Sequence, residues 1–439
     1  MRANSIPISI TIVFVQMAVV ASARPAIADT LNVPGDYATI QAAIDAATSG
    51  DEIVVAPGTY NETINLLGKA IIVRSSGGAD VTMIDGQGSG SVVTCDSDEG
   101  ADTVLEGFTI TGGAGTDLFS DGRTWGGGML NKGSSPTVSA CIFVANSCTH
   151  GGGMCNYLNA NSTVSGCIFT ANSATGGGDG GGMANVNSNP TVADCMFSNN
   201  TAAYGGGGVG DVQSNTILTN CTFKQNTAGS EGGGMYTWQW GEPTLVGCTF
   251  IENESGVRGG GLSNNGTINQ VVANCTFMAN TSALGGGMWT QQASNPTVSD
   301  SLFCGNTPDH IFGPYDDSGG NLFSDDCDLF LDCNDNGIYD WIEIKKGLVQ
   351  DVNGNGIPDE CECLADISGG GVVDAFDLAI MLGAWCSAVN DPNPPSPPCE
   401  NCPSENLAFA DITGPANAPD GCVDAFDLAK LLAAWGPCK

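Results

Sequence analysis

Two twelve-residue segments near the end of the chain carry oxygen-bearing side chains at the spacing of a calcium-binding loop. Residues 332–343 read DCNDNGIYDWIE and residues 351–362 read DVNGNGIPDECE. In both segments acidic or amide residues occupy positions 1, 3, 5, 9 and 12, and a glycine at position 6 permits the sharp turn. We therefore predict Ca²⁺ as a cofactor; the alternative is a pair of Asx-rich turns held by disulfides. The predicted ligands are Asp332, Asn334, Asn336, Ile338, Asp340 and Glu343, and Asp351, Asn353, Asn355, Ile357, Asp359 and Glu362, the two isoleucines through their carbonyls.

The heptapeptide VDAFDLA occurs twice, at 373–379 and 423–429, and each copy leads into an amphipathic helical pattern. Each copy also follows a stretch with calcium-loop character. The first stretch has Gly370 where an acid or amide is usual, and the second has five extra residues before Asp420. A Pro-rich, semi-rigid linker at 391–398 separates the two halves. The candidate ligands are Asp366, Ser368, Asp374 and Asp377, and Asp411, Thr413, Asp420, Asp424 and Asp427.

Upstream of these segments, a repeat of about 27 residues occupies the centre of the chain. Each copy has three glycines, an aliphatic residue, and then an apolar-x-x-Cys-x-Phe-x-x-Asn run, with the cysteine replaced in the seventh copy. A fixed period of this length is typical of stacked units that cannot bury their apolar faces alone. The phenylalanines are Phe143, Phe169, Phe197, Phe223, Phe250, Phe277 and Phe303.

Within one repeat, the alternation of apolar and polar residues predicts short strands with one buried face. In the fifth repeat, Met235, Leu245, Cys248 and Phe250 would point inward. The asparagine that follows each Phe falls where the strand must turn, and stacked amides can bond from one repeat to the next. The glycine triplets predict a second corner, although a flat surface for close ligand approach is the alternative.

This pattern resembles the right-handed parallel β-helix of the pectin-lyase-like superfamily, in particular bacterial surface proteins with GGG-aliphatic and C-x-F-x-x-N repeats. The resemblance covers about residues 31–325 and implies an all-β solenoid of about ten rungs. Residues 39–47 have apolar positions 40, 43, 44 and 47, which predicts an amphipathic helix. In this superfamily such a helix caps the first rung.

The C-terminal segments resemble other modules. The tandem loops flanked by cysteines look like thrombospondin type 3 repeats, and the VDAFDLA pair resembles a type I dockerin. The second resemblance implies a protein partner, yet Ala375-Phe376 and Ala425-Phe426 stand where dockerins that bind cohesins carry small hydroxyl residues. We therefore predict small α/loop calcium-binding modules that attach the chain to a partner or surface. The predicted domains are 1–28, 29–325, 326–364 and 365–439.

The first 28 residues read as a secretory signal peptide. Arg2 precedes an apolar stretch at 8–20, and Ala26-Ile27-Ala28 offers a cleavage site before Asp29. Cleavage after Ala23 and retention as an anchor are the alternatives. Without residues 1–28 the chain has 10 basic against 47 acidic residues, because Arg2 and Arg24 are lost. This balance argues against a nucleic-acid partner, and the expected location is extracellular.

The 19 cysteines include two contrasting sets. One set occupies the same place in consecutive repeats, which predicts a buried column of small apolar side chains rather than a metal or redox site. The other set lies in short polar segments after residue 325 and is expected to form disulfides in an exported protein. The first set is Cys141, Cys167, Cys195, Cys221, Cys248 and Cys275; the second is Cys327, Cys333, Cys361, Cys363, Cys386, Cys399, Cys402, Cys422 and Cys438.

The repeats do not present a recognisable catalytic set. The four basic residues of the repeats occupy different places and are expected to be solvated surface charges, and both histidines are expected in surface loops. Asp211 and Glu231 lie near turns of neighbouring repeats and form a weak candidate carboxylate pair. The basic residues and histidines are Arg123, Lys132, Lys224, Arg258, His150 and His310.

Aromatic residues after the glycine corner give a stronger indication of function. Tyr157, Tyr236, Trp238 and Trp289 lie at odd offsets from the inward aliphatic residue and should face outward on one side. Outward aromatic rings can stack on sugars, although packing against long loops is the alternative. We therefore favour a secreted protein that binds extracellular polysaccharide. A polysaccharide lyase or glycoside hydrolase and a structural surface spacer remain the alternatives.

Overall fold

The computed structural model describes residues 28–325, apart from residues 267 and 268. Beyond residue 325 it describes Cys327, Val349, residues 372–373 and residues 436–437. The chain divides into two compact units, Met1–Phe323 and Ser324–Lys439. The predicted signal peptide lies almost wholly outside the described residues, and so do the calcium and dockerin-like ligands. No helix in the described part of the chain is long and apolar enough to cross a membrane.

The first unit is a parallel β-helix in which each turn of the chain contributes one strand to each of three long sheets. Strands pair in register with their equivalents one turn later, so that Phe143 lies opposite Phe169 and Val138 opposite Val164. This arrangement confirms the predicted all-β solenoid. The twelve-stranded sheet contains β1 (Thr30–Val33), β2 (Glu52–Val55), β5 (Ile72–Ser75), β8 (Val104–Glu106), β13 (Thr137–Ser139), β17 (Thr163–Ser165), β21 (Thr191–Ala193), β25 (Ile217–Thr219), β29 (Thr244–Val246), β33 (Val271–Ala273), β36 (Thr297–Ser299) and β39 (Asp316–Asp317).

The other two long sheets complete the coil. The ten-stranded sheet contains β4 (Ile64–Asn65), β7 (Val93–Cys95), β12 (Met129–Lys132), β16 (Met154–Tyr157), β20 (Met183–Val186), β24 (Val209–Val212), β28 (Met235–Trp238), β32 (Leu262–Asn265), β35 (Met288–Thr290) and β38 (Ile311–Phe312). The eleven-stranded sheet contains β3 (Gly58–Tyr60), β6 (Thr82–Asp85), β9 (Thr109–Thr111), β14 (Ile142–Val144), β18 (Ile168–Thr170), β22 (Met196–Ser198), β26 (Thr222–Lys224), β30 (Thr249–Ile251), β34 (Thr276–Met278), β37 (Leu302–Cys304) and β40 (Leu322–Ser324).

Shorter elements complete the described structure. A five-stranded parallel sheet precedes the glycine corners, and a two-stranded antiparallel pair lies beside its first turn. A 3₁₀ turn spans Ala79–Val81. The five-stranded sheet contains β15 (Ser147–Cys148), β19 (Ser173–Ala174), β23 (Thr201–Ala202), β27 (Thr227–Ala228) and β31 (Glu254–Ser255); the antiparallel pairs are β10 (Thr116–Asp117) with β11 (Thr124–Trp125), and β41 (Val372–Val373) with β42 (Gly436–Pro437).

The predicted helix at the start of the solenoid is α1 (Ile40–Ala46). Thr39 caps it by accepting a hydrogen bond from the Ala42 backbone N–H, and the Glu62 carboxylate accepts two more backbone bonds from the first turn. The inward face of the helix, with Ile40, Ala43 and Ile44 buried, packs on the first turns of the coil. The helix thereby covers apolar side chains that no preceding rung would cover.

The core consists of columns of identical or similar side chains, as the repeat predicts. All seven phenylalanines are fully buried, and their rings stack with centroids 4.5–5.0 Å apart. The cysteine column is buried and, within the described residues, its six members are free thiols. Cys327, the described member of the C-terminal set, is disulfide-bonded. The prediction of a small, apolar thiol column is confirmed.

A buried asparagine ladder forms one corner of the coil. The side-chain Oδ1 of Asn226 accepts from both the backbone N–H and the side-chain amide of Asn200, at 3.0 Å each. Its own amide donates to the Phe197 carbonyl at 2.8 Å and to Asn253 at 2.9 Å. Asn172, Asn200, Asn253 and Asn280 make the same four bonds, so the ladder satisfies backbone groups that the corner would otherwise leave unpaired.

The glycine triplets form the second predicted corner. At Gly232 φ is +62°, a conformation that side chains rarely adopt. At Gly233, a Cβ atom would lie 2.4 Å from the Glu254 carbonyl oxygen and 2.5 Å from that of Gly260. The first glycine is therefore required by backbone angle and the second by close approach of neighbouring chain segments.

We expect Asn226→Ala to destabilise the β-helix by at least about 3 kcal/mol, because it leaves several buried polar groups around Asn200 and Phe197 without partners. Lys224→Ala removes an exposed side chain from the same turn and should change stability by less than about 0.5 kcal/mol. Denaturant titration followed by circular dichroism measures both. Equal losses in the two variants would contradict the proposed role of the ladder.

Candidate functional site

The outward face of the ten-stranded sheet carries two aromatic residues, Tyr157 and Trp238, in one row of side chains. This row of residues, paired in register on successive strands, runs across the sheet, and neighbouring residues of the row are one turn apart. Tyr157 and Trp238 are separated by the aliphatic Val186 and Val212, so this stretch of the row carries no charge. The row is Lys132, Tyr157, Val186, Val212, Trp238 and Asn265.

Further aromatic rings border this row. Trp240, in the turn after β28, is 70% exposed, and Trp238 is 39% exposed. Phe119 is 51% exposed and makes an edge contact with Tyr157, with centroids 6.0 Å apart. Tyr204, in the turn before β24, is also exposed and makes an edge contact with Tyr236, with centroids 5.7 Å apart. We call Phe119, Tyr157, Tyr204, Trp238 and Trp240 the aromatic face.

Two of the four aromatic residues expected to face solvent are buried instead. Tyr236 is 1% exposed and Trp289 is 7% exposed. Both point away from the coil interior, as expected, but the segment before each glycine triplet folds over them as an outer layer. Gly205 makes room for Tyr236, since a Cβ there would lie 2.6 Å from the tyrosine ring. The expectation of exposure was wrong here because strand alternation does not report what covers an outward side chain.

Trp238 and Tyr157 agree better with the expectation. Trp238 is exposed, and Tyr157 is half-buried against the apolar cluster around Trp125 and Leu130. Phe119, Tyr204 and Trp240 were not predicted, because they lie in turns and loops where strand periodicity gives no direction. The WQW triplet at 238–240 was the available signal for Trp240.

Arg258 and Glu231 form an ion pair in the outer layer. Arg258 Nη1 lies 3.1 Å from Glu231 Oε1, and the guanidinium stacks over the Trp289 ring at 4.5 Å. Glu231 also accepts hydrogen bonds from Ser263 and Asn265. The expectation that Arg258 is a solvated surface charge is therefore wrong: aromatic stacking and a buried carboxylate fix its position.

His150 also belongs to the outer layer rather than to a surface loop. Its ring stacks on Trp125 with centroids 4.4 Å apart, and its Nδ1 accepts the backbone N–H of Asp179 at 3.4 Å. Burial lowers the pKa of His150 to about 4, and the positive charge of Arg123 contributes in the same direction. His150 is consequently neutral at physiological pH and acts here as an aromatic and hydrogen-bonding group.

The candidate carboxylate pair Asp211 and Glu231 does not form. Asp211 continues the core-facing polar column of β24, where Asn185 donates to its Oδ1 at 2.8 Å, whereas Glu231 contacts Ser263 on the outward side. The two acids lie on opposite sides of the ten-stranded sheet. Burial raises the pKa of Asp211 to about 7, and Asp211 Oδ2 has no partner.

Asp179 is the second acid with a raised pKa. Burial raises the pKa of its carboxyl to about 7, and the negative charge of Glu231 contributes in the same direction. Its Oδ1 is buried without a partner. Among the residues that the structure describes, no three His, Cys, Asp or Glu side chains are arranged to hold a metal ion. The described face thus offers aromatic surface and fixed charges rather than a metal centre.

Comparisons with known proteins agree with this architecture. Residues 180–341 match the family model described as a right handed beta helix region. The solenoid is a right-handed parallel β-helix. No curated protein matches the chain.

Solved structures to which this chain is similar include pectate lyase Pel9A, with 12% identity over 74% of this chain and 85% of that one, at a TM-score of 0.40. A second is the tailspike gp49 of Acinetobacter baumannii bacteriophage Fri1, a capsular polysaccharide depolymerase, with 15% identity over 68% and 55% and a TM-score of 0.38. Polygalacturonase from Erwinia carotovora ssp. carotovora shares 14% identity over 71% and 96%, at 0.37.

Asp211 predicts a specific pH dependence of stability. The pKa of Asp211 is raised in the folded state from 3.8 to about 7, so the unfolded chain loses this proton first as pH rises. The contribution of the Asp211 carboxyl to the free energy of unfolding is therefore fully present below about pH 4 and is lost as pH rises to about 7. Asp211→Asn should remove this loss and stabilise the protein above pH 7 by up to roughly 4 kcal/mol.

The measurement is the free energy of unfolding between pH 4 and 8 for both proteins. Asp179 titrates in the same range, so only the difference between the two curves reports on Asp211. Asp194→Asn changes an exposed acid and provides the matched control. Parallel curves for wild type and Asp211→Asn would show that the Asp211 carboxyl does not titrate as described.

Proposed function

We propose that this chain is a secreted or surface-attached protein that binds extracellular polysaccharide on its aromatic face. The observation that carries the proposal is that several exposed aromatic rings lie on or beside one sheet. The exposed rings on or beside the ten-stranded sheet are Phe119, Tyr204, Trp238 and Trp240. Single exposed rings scattered over a surface are ordinary, whereas several on one side of a sheet indicate a binding surface.

The chemistry of this face suits a carbohydrate. Aromatic rings give flat apolar contact area with little loss of side-chain entropy, and Trp and Tyr keep a polar group for hydrogen bonding. A neighbouring ladder of exposed amides adds neutral hydrogen-bonding groups: the Oδ1 atoms of Asn161, Asn189 and Asn215 each accept the backbone N–H of the next turn. Repetition at the rung spacing favours an extended, repetitive ligand over a compact one.

A polysaccharide lyase or hydrolase is the second candidate. It is favoured by Asp179, whose pKa of about 7 would suit a general acid or base near neutral pH. Glu231, whose negative charge contributes to the raised pKa of Asp179, is held by Arg258 and is buried. This arrangement favours a positioned charge over a reactive carboxylate pair, so binding is the leading proposal.

The C-terminal modules are proposed to bind calcium and to attach the β-helix to a protein partner or to the cell surface. The proposal rests on the ligand spacing of residues 332–343 and 351–362 and on the duplicated VDAFDLA motif. Calcium would neutralise part of the large acidic excess in this region and order loops that are otherwise short and polar. A spacer without a ligand is the remaining alternative for the whole chain.

Retention of intact polysaccharides by the immobilised mature chain tests the binding function. We expect the double variant Trp238→Ala/Trp240→Ala to bind at least about five-fold more weakly, because two stacking contacts of about 0.5–1.5 kcal/mol each are lost. Ile168→Ala/Met196→Ala removes exposed apolar side chains from the eleven-stranded sheet and should bind normally. Affinity electrophoresis across neutral and acidic polysaccharides gives the comparison.

Mass spectrometry of the same mixtures separates the three functions. Intact polysaccharide, retained by wild type and lost in the tryptophan variant, supports binding. New oligosaccharides would instead establish an enzyme, and unsaturated ends would identify a lyase. If the chain neither retains polysaccharide nor produces oligosaccharides, the structural spacer is the function that remains.

Calcium binding has its own test. Glu343→Gln/Glu362→Gln removes the bidentate carboxylate at position 12 of both loops and should weaken calcium binding at least about ten-fold. Asp335→Asn changes an acid at position 4, outside the ligand set, and should bind calcium normally. Calorimetric titration of the chelator-treated chain measures both. Absence of calcium binding by the wild-type chain would favour Asx-rich turns without calcium, and equal affinities in the two variants would contradict the proposed role of Glu343 and Glu362.

A further inference from the structure

The corner that follows the ten-stranded sheet carries a ladder of exposed side-chain amides. The Oδ1 atoms of Asn161 and Asn189 accept the backbone N–H groups of Asn189 and Asn215 at 2.7 and 2.8 Å, and Asn215 Oδ1 accepts the Glu242 N–H at 2.7 Å. All three asparagines are exposed. Because Oδ1 is the bonded atom in each, the Nδ2 groups are the ones offered to solvent or to a ligand. We call Asn161, Asn189 and Asn215 the exposed amide ladder.

The exposed amide ladder runs parallel to the row that contains Tyr157 and Trp238. Each turn passes from this row through a short bend to the ladder position, so Trp238 is followed by Trp240 and then by Glu242. The bends stack as well, since the Gln213 backbone N–H donates to the Trp238 carbonyl at 2.9 Å. Row and ladder therefore both advance by one turn, about 4.8 Å, along the coil axis. A ligand that contacts several turns of both must extend along this axis.

The row offers one positive charge to such a ligand. Lys132 begins the row and lies four turns from Trp238, with Tyr157, Val186 and Val212 between them. A carboxylated polysaccharide carries negative charge at intervals along its whole length, so a surface that recognises it needs cations repeated along the same direction. The row repeats neutral side chains instead.

The basic side chains that border this sheet already have carboxylate partners. Arg123, in the turn between β10 and β11, bonds to Asp121 at 2.6 Å. Arg258, in the outer layer, lies 3.1 Å from Glu231. Over the whole chain 47 acidic residues stand against 12 basic ones, so the long-range field repels a polyanion. Neither local nor distant charge favours an anionic ligand here.

Glu242 adds a negative charge at the ladder position. It lies one turn after Asn215, follows Trp240 by two residues and is exposed. Its Oε1 accepts the side-chain amide of Asn269 at 3.0 Å, which holds the carboxylate in line with the ladder. The amide donor is neutral, so this bond fixes the position of the charge without cancelling it.

We propose that the ligand of the aromatic face is an uncharged polysaccharide that extends along the coil axis over Trp238, Trp240 and the exposed amide ladder, and that Glu242 disfavours carboxylated polysaccharides. This inference rests on the proposed polysaccharide-binding function and adds the charge class of the ligand. The rings give apolar contact with the faces of the sugars, and the Nδ2 groups donate to hydroxyl and ring oxygens. Neither contact requires charge on the ligand, whereas uncompensated repulsion from Glu242 raises the free energy of a bound carboxylate.

The test compares polysaccharides that share a backbone and differ in charge. Affinity electrophoresis of the full mature chain uses dextran with carboxymethyl-dextran, hydroxyethyl-cellulose with carboxymethyl-cellulose, and methyl-esterified homogalacturonan with polygalacturonate. A chelator is present, so that calcium cannot bridge a carboxylate to the acidic chain. In the pair that binds, the neutral polysaccharide should bind at least about five-fold more tightly at low salt, the effect of one like-charge contact at about 4 Å in water. High salt should narrow this difference, because ions screen the repulsion.

Glu242→Gln keeps the acceptor for Asn269 and removes the charge. It should raise the affinity for the carboxylated polysaccharide relative to its neutral partner at least about two-fold. Glu252→Gln is the matched control: Glu252 is exposed and accepts one side-chain amide, from Gln225 at 2.8 Å, but it follows β30 of the eleven-stranded sheet. This variant should keep the wild-type ratio of affinities. Equal ratios in the two variants would overturn the role of Glu242.

Three outcomes with the wild-type chain and the tryptophan variant would overturn the inference. Equal or tighter binding of the carboxylated polysaccharides would do so and would leave the proposed binding function in place. A preference for the neutral polysaccharide that persists unchanged in Trp238→Ala/Trp240→Ala would belong to another surface. Failure to bind any of the six polysaccharides would overturn both the inference and the proposed function.

Discussion

The parallel in-register stacking of equivalent residues is the constraint on which the rest of the β-helix depends. Every turn must bring its corner to the same place as the turn before it, or the backbone groups there lose their partners. The asparagine ladder meets this requirement, since each amide bonds both to the next asparagine and to a backbone carbonyl. In a dry corner such bonds stabilise strongly, because the alternative is an unpaired buried polar group.

The same stacking explains the composition of the core. A side chain that recurs at the distance between strands contacts its own copies, so phenylalanine rings stack on phenylalanine rings and thiols on thiols. Columns of one residue type require no complementary shape from elsewhere in the chain. At the glycine corner the chain segments approach so closely that a Cβ atom would not fit at Gly233, and this close approach allows successive turns to remain at this distance.

The outer layer over the ten-stranded sheet gives the candidate site its character. It buries Tyr236 and Trp289, fixes Arg258 between Glu231 and an indole ring, and places His150 against Trp125. Burial then shifts the pKa of His150 downward and that of Asp179 upward, because each charged form loses its hydration. The aromatic face therefore borders charges that are already paired or neutralised, which suits an uncharged contact surface.

The sequence alone determined the solenoid, its buried columns and the helix α1, because these features follow from local periodicity and from repetition at a fixed interval. Leu245, Cys248 and Phe250 could be assigned to the interior, and Asn253 to a turn, from their positions in one repeat. Only the tertiary structure decided the fate of outward side chains. Tyr236 and Trp238 lie two residues apart on the same side of one strand, yet the first is buried and the second is exposed. The difference arises because residues of the preceding turn, Tyr204 and Gly205, pack over Tyr236, and no local pattern contains that contact.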